Sequence, residues 1–187
     1  MSKFVKKILD VKNVLGRVFN PYKSDTFYMF DCLDGSVFGL VATSTWQING
    51  IWTVPAGTYN SMNIDTSSFG DEYQLTGDIT SFSLHSGLIS KLVVSNTCTT
   101  LFIDAINMAC QRIDLRNADA LQSITQCPNN IEHLWANASN NANLYAATSA
   151  IIANNYYPGT LYVSPSAYYY AQLVQDATDH FWNVVTI

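Results

Sequence analysis

Three histidines and the acidic residues near them are the side chains of this chain best suited to acid–base chemistry. They are His85, His133 and His180, and Asp176 and Asp179 directly precede the last of these. A general base needs a nucleophile and an orienting group within hydrogen-bond reach, but no G-x-S-x-G, H-E-x-x-H or glycine-rich phosphate loop is present. We interpret 176–180 as a solvated helix face and assign no catalytic residue. An enzyme that uses His133 or His180 in a triad of distant residues is the weakest of three functional hypotheses.

The cysteines do not have the spacing of a metal site. No C-x-x-C pair and no nearby histidine pair exist, which disfavours zinc. An even count permits disulfides, but Cys110 lies 21 residues after Ile89 and 21 before Ile131, in an apolar column. We therefore expect free, buried thiols and neither a metal nor a cofactor. The four cysteines are Cys32, Cys98, Cys110 and Cys127.

Composition and charge favour a binding or structural role. Only 12% of the 187 residues are charged, although 48% are hydrophobic, so uncharged polar side chains fill a surface like that of secreted, cell-surface and virion proteins. Residues 1–23 carry a net charge of +5 and the remainder carries −10. Only Lys91, Arg112 and Arg116 are basic after residue 23, which disfavours nucleic acid as a partner.

No export signal and no membrane span are predicted. Charges interrupt the apolar residues of 1–19 and no small-residue cleavage site follows, and no run of about 18 apolar residues occurs. A phage virion protein, which is released by lysis, reconciles an extracellular type of surface with this missing signal. We expect a virion location, with the bacterial cell surface or the extracellular space as the alternative.

The first 20 residues have the pattern of an amphipathic helix. Apolar residues recur at spacings of four and three, with lysines on the opposite face, and Asn20-Pro21 ends the pattern. A helix of this length is marginally stable alone, so it must dock on its own domain, on other copies or on a partner. We assign 1–23 as an anchoring helix whose assembly contact is the stripe Phe4, Ile8, Val11, Leu15 and Val18.

Residues 24–70 have the pattern of an antiparallel β-meander. Asp34-Gly35 and Asn49-Gly50 each separate two apolar alternations. Such dipeptides favour type I′ hairpin turns, which need positive φ at both central residues. We expect three strands followed by a polar connection over 60–70.

A register of 21 residues runs through the second half of the chain. Four apolar columns keep it: Leu92, Ile113 and Leu134; Val94, Leu115 and Ala136; Phe82, Ile103, Ile124 and Tyr145; and Ile89, Cys110, Ile131 and Ile152. A period of 20–29 residues with an L-x-L core and a following Asn is typical of leucine-rich-repeat solenoids. The sequence therefore predicts a mainly β fold, with a short leucine-rich-repeat-like β-solenoid over 71–187 and a C-terminal strand–helix cap from about 158.

These residues resemble the bacterial surface leucine-rich repeats often called BspA-type. The likeness covers roughly 73–187 and rests on the repeat length, the L-x-x-S-N turn at 92–96, the strand 161–163, and the closing Pro165 and Trp182. It implies adhesion or protein binding rather than catalysis. This chain departs from that pattern in having about four coils, no export signal and a preceding helix and meander.

Residues between the inward positions predict a recognition surface. Successive strand side chains point to opposite faces, which sets Val93, Asp114 and Trp135 in one outward column and Ser83, Asp104 and Thr125 in another. Aromatic anchors dominate interfaces, although Trp135 packed beneath the cap is equally compatible with the pattern. The tyrosines of the last third suit contact with sugars or proteins. The candidate surface is Asp114, His133, Trp135, Tyr145, Tyr168 and Tyr169.

The leading hypothesis is a non-enzymatic phage virion component, such as a head or tail decoration, fibre or adaptor. Its partners would be copies of itself or other virion proteins, and a surface glycan or receptor is a further class of ligand. The alternative is a bacterial surface or secreted leucine-rich-repeat adhesin or interaction module.

Overall fold

A computed structural model of the protein describes residues 22–86, 89–104, 110–136 and 141–187. The predicted amino-terminal helix and its stripe of Phe4, Ile8, Val11, Leu15 and Val18 lie outside these ranges. Among the described residues, no helix is long and apolar enough to cross a membrane.

The described residues form fourteen strands and three helices. The strands are β1 (Thr26–Phe30), β2 (Val37–Ala42), β3 (Trp46–Ile48), β4 (Trp52–Val54), β5 (Gly57–Asn63), β6 (Tyr73–Thr76), β7 (Ile79–Ser86), β8 (Lys91–Val93), β9 (Thr100–Ile103), β10 (Arg112–Asp114), β11 (Ser123–Gln126), β12 (His133–Trp135), β13 (Thr160–Val163) and β14 (Asn183–Thr186). The helices are α1 (Thr66–Phe69), α2 (Ala142–Asn154) and α3 (Tyr170–Asp179). One sheet has nine strands in the order β14-β13-β12-β10-β8-β1-β6-β3-β4, and the other has five in the order β11-β9-β7-β2-β5.

The core fills the space between these two sheets. Phe27 of β1 stacks on Phe82 of β7 with ring centroids 4.8 Å apart, and Trp46 of β3 meets Tyr59 of β5 edge-on at 5.6 Å. Phe27, Phe82 and Trp46 have no exposed surface. Because burial of one large apolar side chain is worth about 1.5–3 kcal/mol, packing between the sheets is the main stabilising contribution.

The prediction of a leucine-rich-repeat solenoid over 71–187 is wrong. The fold is β-sandwich-like with two mixed sheets, because β1 pairs antiparallel with β8 on one side and with β6 on the other. The N-terminal strands thus occupy the hydrogen-bonding edge of β8, whose free N–H and C=O groups would otherwise need partners. The predicted C-terminal cap is wrong in the same way, since β13 and β14 pair in parallel and extend the nine-stranded sheet.

The 21-residue spacing is nevertheless the pairing register of one set of parallel strands. Ile113 of β10 lies opposite Leu92 of β8 and Leu134 of β12, and all three are fully buried. That column is confirmed. The column that began with Phe82 is wrong, because Leu101 of β9 lies opposite both Phe82 and Ile124.

Helices replace strands in the second layer after β12. Asn141 caps α2 by accepting hydrogen bonds from the backbone N–H groups of Asn143 and Leu144. The strand predicted at 160–163 is confirmed, whereas the helix predicted from about residue 166 begins at Tyr170. The connection from β12 to β13 is longer than the earlier ones, and its surplus residues coil into α2, which the sequence reading missed.

The meander predicted for 24–70 is also wrong in its pairing. Asn49 and Gly50 do form the turn between β3 and β4, with φ of 51° and 68°, as a type I′ turn requires. Asp34-Gly35 instead joins β1 in one sheet to β2 in the other. It is a crossing between layers rather than a hairpin.

Candidate functional site on the outer face of the nine-stranded sheet

The face of the nine-stranded sheet that points away from the core brings half of the predicted surface together. Asp114 lies opposite Trp135, which lies opposite Tyr162 of β13. These residues alternate with core residues along their strands, so they point outward. We call the following residues the outer-face cluster: Tyr22, Lys91, Asp114, Arg116, His133, Trp135 and Tyr162.

An aromatic stack forms the exposed side of the outer-face cluster. The Trp135 and Tyr162 rings are 4.7 Å apart at 9°, which matches the spacing of about 4.8 Å between neighbouring strands. From the other side, Lys91 Nζ lies 4.6 Å from the Trp135 centroid and 4.8 Å from that of Tyr22. Both faces of Trp135 are therefore covered, so this cluster is not an open platform on which a sugar ring could stack.

Asp114 is the electrostatic centre of the cluster. Its carboxylate accepts hydrogen bonds from Arg116 Nε at 2.9 Å and Nη2 at 2.7 Å, and from the Arg116 backbone N–H at 3.1 Å. Lys91 Nζ lies 3.8 Å away. The prediction of an outward column holds for its direction, but Asp114 and Val93 have no exposed surface. An outward position in a strand is therefore not a solvated one here.

The segment Tyr22–Ser24 lies across this face and is fixed there by hydrogen bonds. The Lys23 N–H donates to Tyr28 Oη at 3.1 Å, and Lys91 Nζ donates to Tyr22 Oη at 3.0 Å. The backbone N–H of Asn96 donates to the Ser24 carbonyl at 2.7 Å. The amino-terminal segment 1–21 thus joins the body on the outer face, beside the turn after β8.

Burial shifts the proton affinities in this cluster. It raises the pKa of Tyr22 to about 12, with help from the Asp114 carboxylate, and it lowers the pKa of Lys91 against the opposing effect of Asp114. Burial, followed by the charge of Arg112, also lowers the pKa of His133, whose Nδ1 lies 3.1 Å from Tyr162 Oη. At neutral pH the cluster holds a neutral imidazole and a saturated carboxylate.

The remaining predicted residues form a separate group in the helical layer. Tyr145 of α2 stacks on Tyr169 at 4.8 Å, and Tyr168 meets Tyr169 edge-on at 4.9 Å. Tyr145 Oη donates to Asp176 Oδ2 at 3.1 Å. The structure therefore divides the predicted surface into two groups, with Asp114, His133 and Trp135 on the outer face and the three tyrosines beside α3.

The other candidate chemical groups are not arranged for catalysis. All four cysteines are free, as predicted, and burial raises the pKa of Cys98 and Cys110 to about 12, so neither is a reactive thiolate. His85 is hydrogen-bonded to Ser83 at 2.9 Å. Among the described residues, no group of three potential metal ligands occurs.

Comparisons with known proteins leave the contacts themselves as the basis for a functional proposal. A scan against protein-family models and searches of curated proteins and of solved structures found no match.

Proposed function

We propose that this protein is a non-enzymatic structural protein that assembles with other protein subunits through residues 1–21, as a component of a phage virion. The observation that carries the proposal is the fixed segment Tyr22–Ser24, which attaches the amino-terminal segment to the outer face. A basic sequence with one apolar stripe, tied to a rigid body at a defined point, suits an anchor.

Charge disfavours docking of this segment on the surface where it joins. Lys91, Arg112 and Arg116 are the only basic residues after residue 23. All three lie on or directly after the adjacent strands β8 and β10. Residues 1–23 carry +5, and like charges repel most strongly within a Debye length of about 8–10 Å. The acidic groups that attract this segment lie elsewhere, which favours a partner surface.

The outer-face cluster also supports a structural rather than a catalytic role. Its carboxylate is saturated by Arg116 and its tryptophan is covered on both faces. A general base or nucleophile must instead be open to a substrate. The low charge content of the chain, 12%, suits the uncharged polar surface of a virion protein.

The test is the assembly state of the full-length chain. We expect the wild-type protein to sediment as an oligomer, and Ile8→Glu with Leu15→Glu to sediment as a monomer with an unchanged unfolding midpoint. Ser2→Glu with Asn13→Glu is the matched control, since it adds the same charge away from the stripe and should still assemble. A wild-type monomer that loses stability when the stripe is changed would contradict the proposal. Mass spectrometry of purified phage particles should also detect the protein, and its absence from them would refute the virion setting.

A further inference from the structure

One end of the sandwich carries an exposed apolar patch at the tip of the β3–β4 hairpin. Ile51 and Trp52 are 72% and 61% exposed, and the Trp52 ring meets Phe69 of α1 edge-on at 5.7 Å. Leu33, in the loop after β1, is 52% exposed. Asn49 Nδ2 ties the hairpin to the following loop by donating to the Phe69 and Glu72 carbonyls at 3.4 and 3.2 Å.

Carboxylates from three loops surround this apolar group. The Cys32 N–H donates to the Asp71 carbonyl at 2.9 Å, which joins the loop after β1 to the loop before β6. The Thr66 N–H donates to Asp34 Oδ1 at 3.0 Å, which adds the start of α1. We call Leu33, Ile51, Trp52 and Phe69, with their rim of Asp31, Asp34, Asp65, Asp71 and Glu72, the acid-rimmed patch.

The rim carboxylates share this end of the molecule without cations. Burial and then the charges of Asp71, Asp31 and Glu72 raise the pKa of the Cys32 thiol to about 12. No Lys or Arg occurs between residues 24 and 90. In the described parts of the chain, both salt bridges are made by Asp114, on the outer face. The patch therefore combines exposed apolar surface with unneutralised negative charge.

The amino-terminal segment has the complementary chemistry. Residues 1–23 contain six basic residues and one acidic residue beside the stripe. A helix of about 20 residues is about 30 Å long, and an amphipathic helix binds a partner by laying its apolar face into an apolar groove. A basic amphipathic segment and an acid-rimmed apolar patch match in both respects.

We propose that the acid-rimmed patch of one copy binds residues 2–19 of a second copy, so that the protein assembles head to tail. This inference rests on the proposed function and names the receiving site. Tyr22 lies on the outer face over β1 and β8, three strands away from β4, which is about 14 Å. Val18 and Leu15, close to Tyr22 in sequence, would stay over the outer face if the segment docked on its own patch. A second copy can align the whole stripe, and such a heterologous contact builds a ring or a filament.

A complementation experiment with full-length variants tests this pairing. The arm variant is Ile8→Glu with Leu15→Glu, and the patch variant is Ile51→Ser with Trp52→Ser. Each should be monomeric alone by sedimentation, whereas an equimolar mixture should form a heterodimer, because one copy keeps an intact arm and the other keeps an intact patch. Tyr156→Ser with Tyr157→Ser is the matched control, since these residues are equally exposed, at 77% and 74%, and the variant should assemble as the wild type does.

A rim variant keeps the test independent of any packing lost with Trp52. Asp31→Asn, Asp71→Asn and Glu72→Gln together should weaken assembly at least tenfold in Kd while the unfolding midpoint stays the same or rises. The wild-type Kd should weaken similarly between about 50 and 500 mM salt, because screening shortens the range of the attraction.

Two results separate this inference from the proposed function. Wild-type assembly by the patch variant together with a monomeric arm variant would overturn the pairing and leave the anchoring role intact. A mixture that stays monomeric, or a rim variant with wild-type Kd, would also overturn the pairing. A monomeric wild-type protein that is destabilised by the arm substitutions would refute both.

Discussion

Replacement of Asp114 by alanine should be strongly destabilising, although its position on the outward side of β10 predicts a nearly neutral change. The carboxylate has no exposed surface and accepts three hydrogen bonds from Arg116. Removing it leaves the guanidinium and the Lys91 ammonium without their counter-charge, and those side chains are only 14% and 17% exposed. The cost is therefore that of an uncompensated, largely buried pair of cations.

The expected loss of unfolding free energy is about 2–4 kcal/mol. Breaking a buried ion pair typically costs about 3–5 kcal/mol, and partial access of water to the two cations reduces that figure. Asp114→Asn keeps the shape and one acceptor, and should cost about half as much. Urea unfolding followed by tryptophan fluorescence measures both changes as shifts in midpoint at constant m-value.

Asp71→Ala is the matched control, because it removes the same charge from an exposed side chain. It should change the unfolding free energy by less than about 0.5 kcal/mol. The double variant Asp114→Ala with Arg116→Ala should lose less than the sum of its single losses, since the two residues share one interaction. Equal midpoints for Asp114→Ala and Asp71→Ala would refute the role assigned to the buried carboxylate.

Three further substitutions test the fold and the pH response. Leu115→Asp places an unpaired carboxylate at a fully buried position and should cost several kcal/mol; a soluble variant with a wild-type melting temperature would contradict the 21-residue register. Phe181→Gly should stabilise by about 0.5–1 kcal/mol, because Phe181 has φ of 62° and is 84% exposed; a lower melting temperature would show that this side chain makes a stabilising contact. The folded pKa of His133 is lowered, so its contribution is fully present above the unfolded value of about 6.5 and is lost as pH falls towards the folded pKa. His133→Gln should flatten this acid limb in urea titrations at pH 5.5 and 7.5, and unchanged pH dependence would count against it.

The sequence determined the features that depend on local pattern and on repetition. Residues one period apart in Leu92, Ile113 and Leu134 pair directly, because neighbouring in-register parallel strands must bury the same face at the same position. Asn49-Gly50 forms its hairpin, since few other residues adopt positive φ at both turn positions. The strand at 160–163 and the free thiols follow from similarly local information.

Only the tertiary structure decided how these pieces join and what covers them. A period does not specify what pairs with the first strand of a repeat, so β1 at the edge of β8 and the resulting sandwich could not be read from the spacing. Alternation gives the direction of Asp114 but not the segment 22–24 that lies across its face. The rim of the acid-rimmed patch comes from three loops with no common spacing. Burial and electrostatics act through space, and the sequence pattern reports only contacts that recur along the chain.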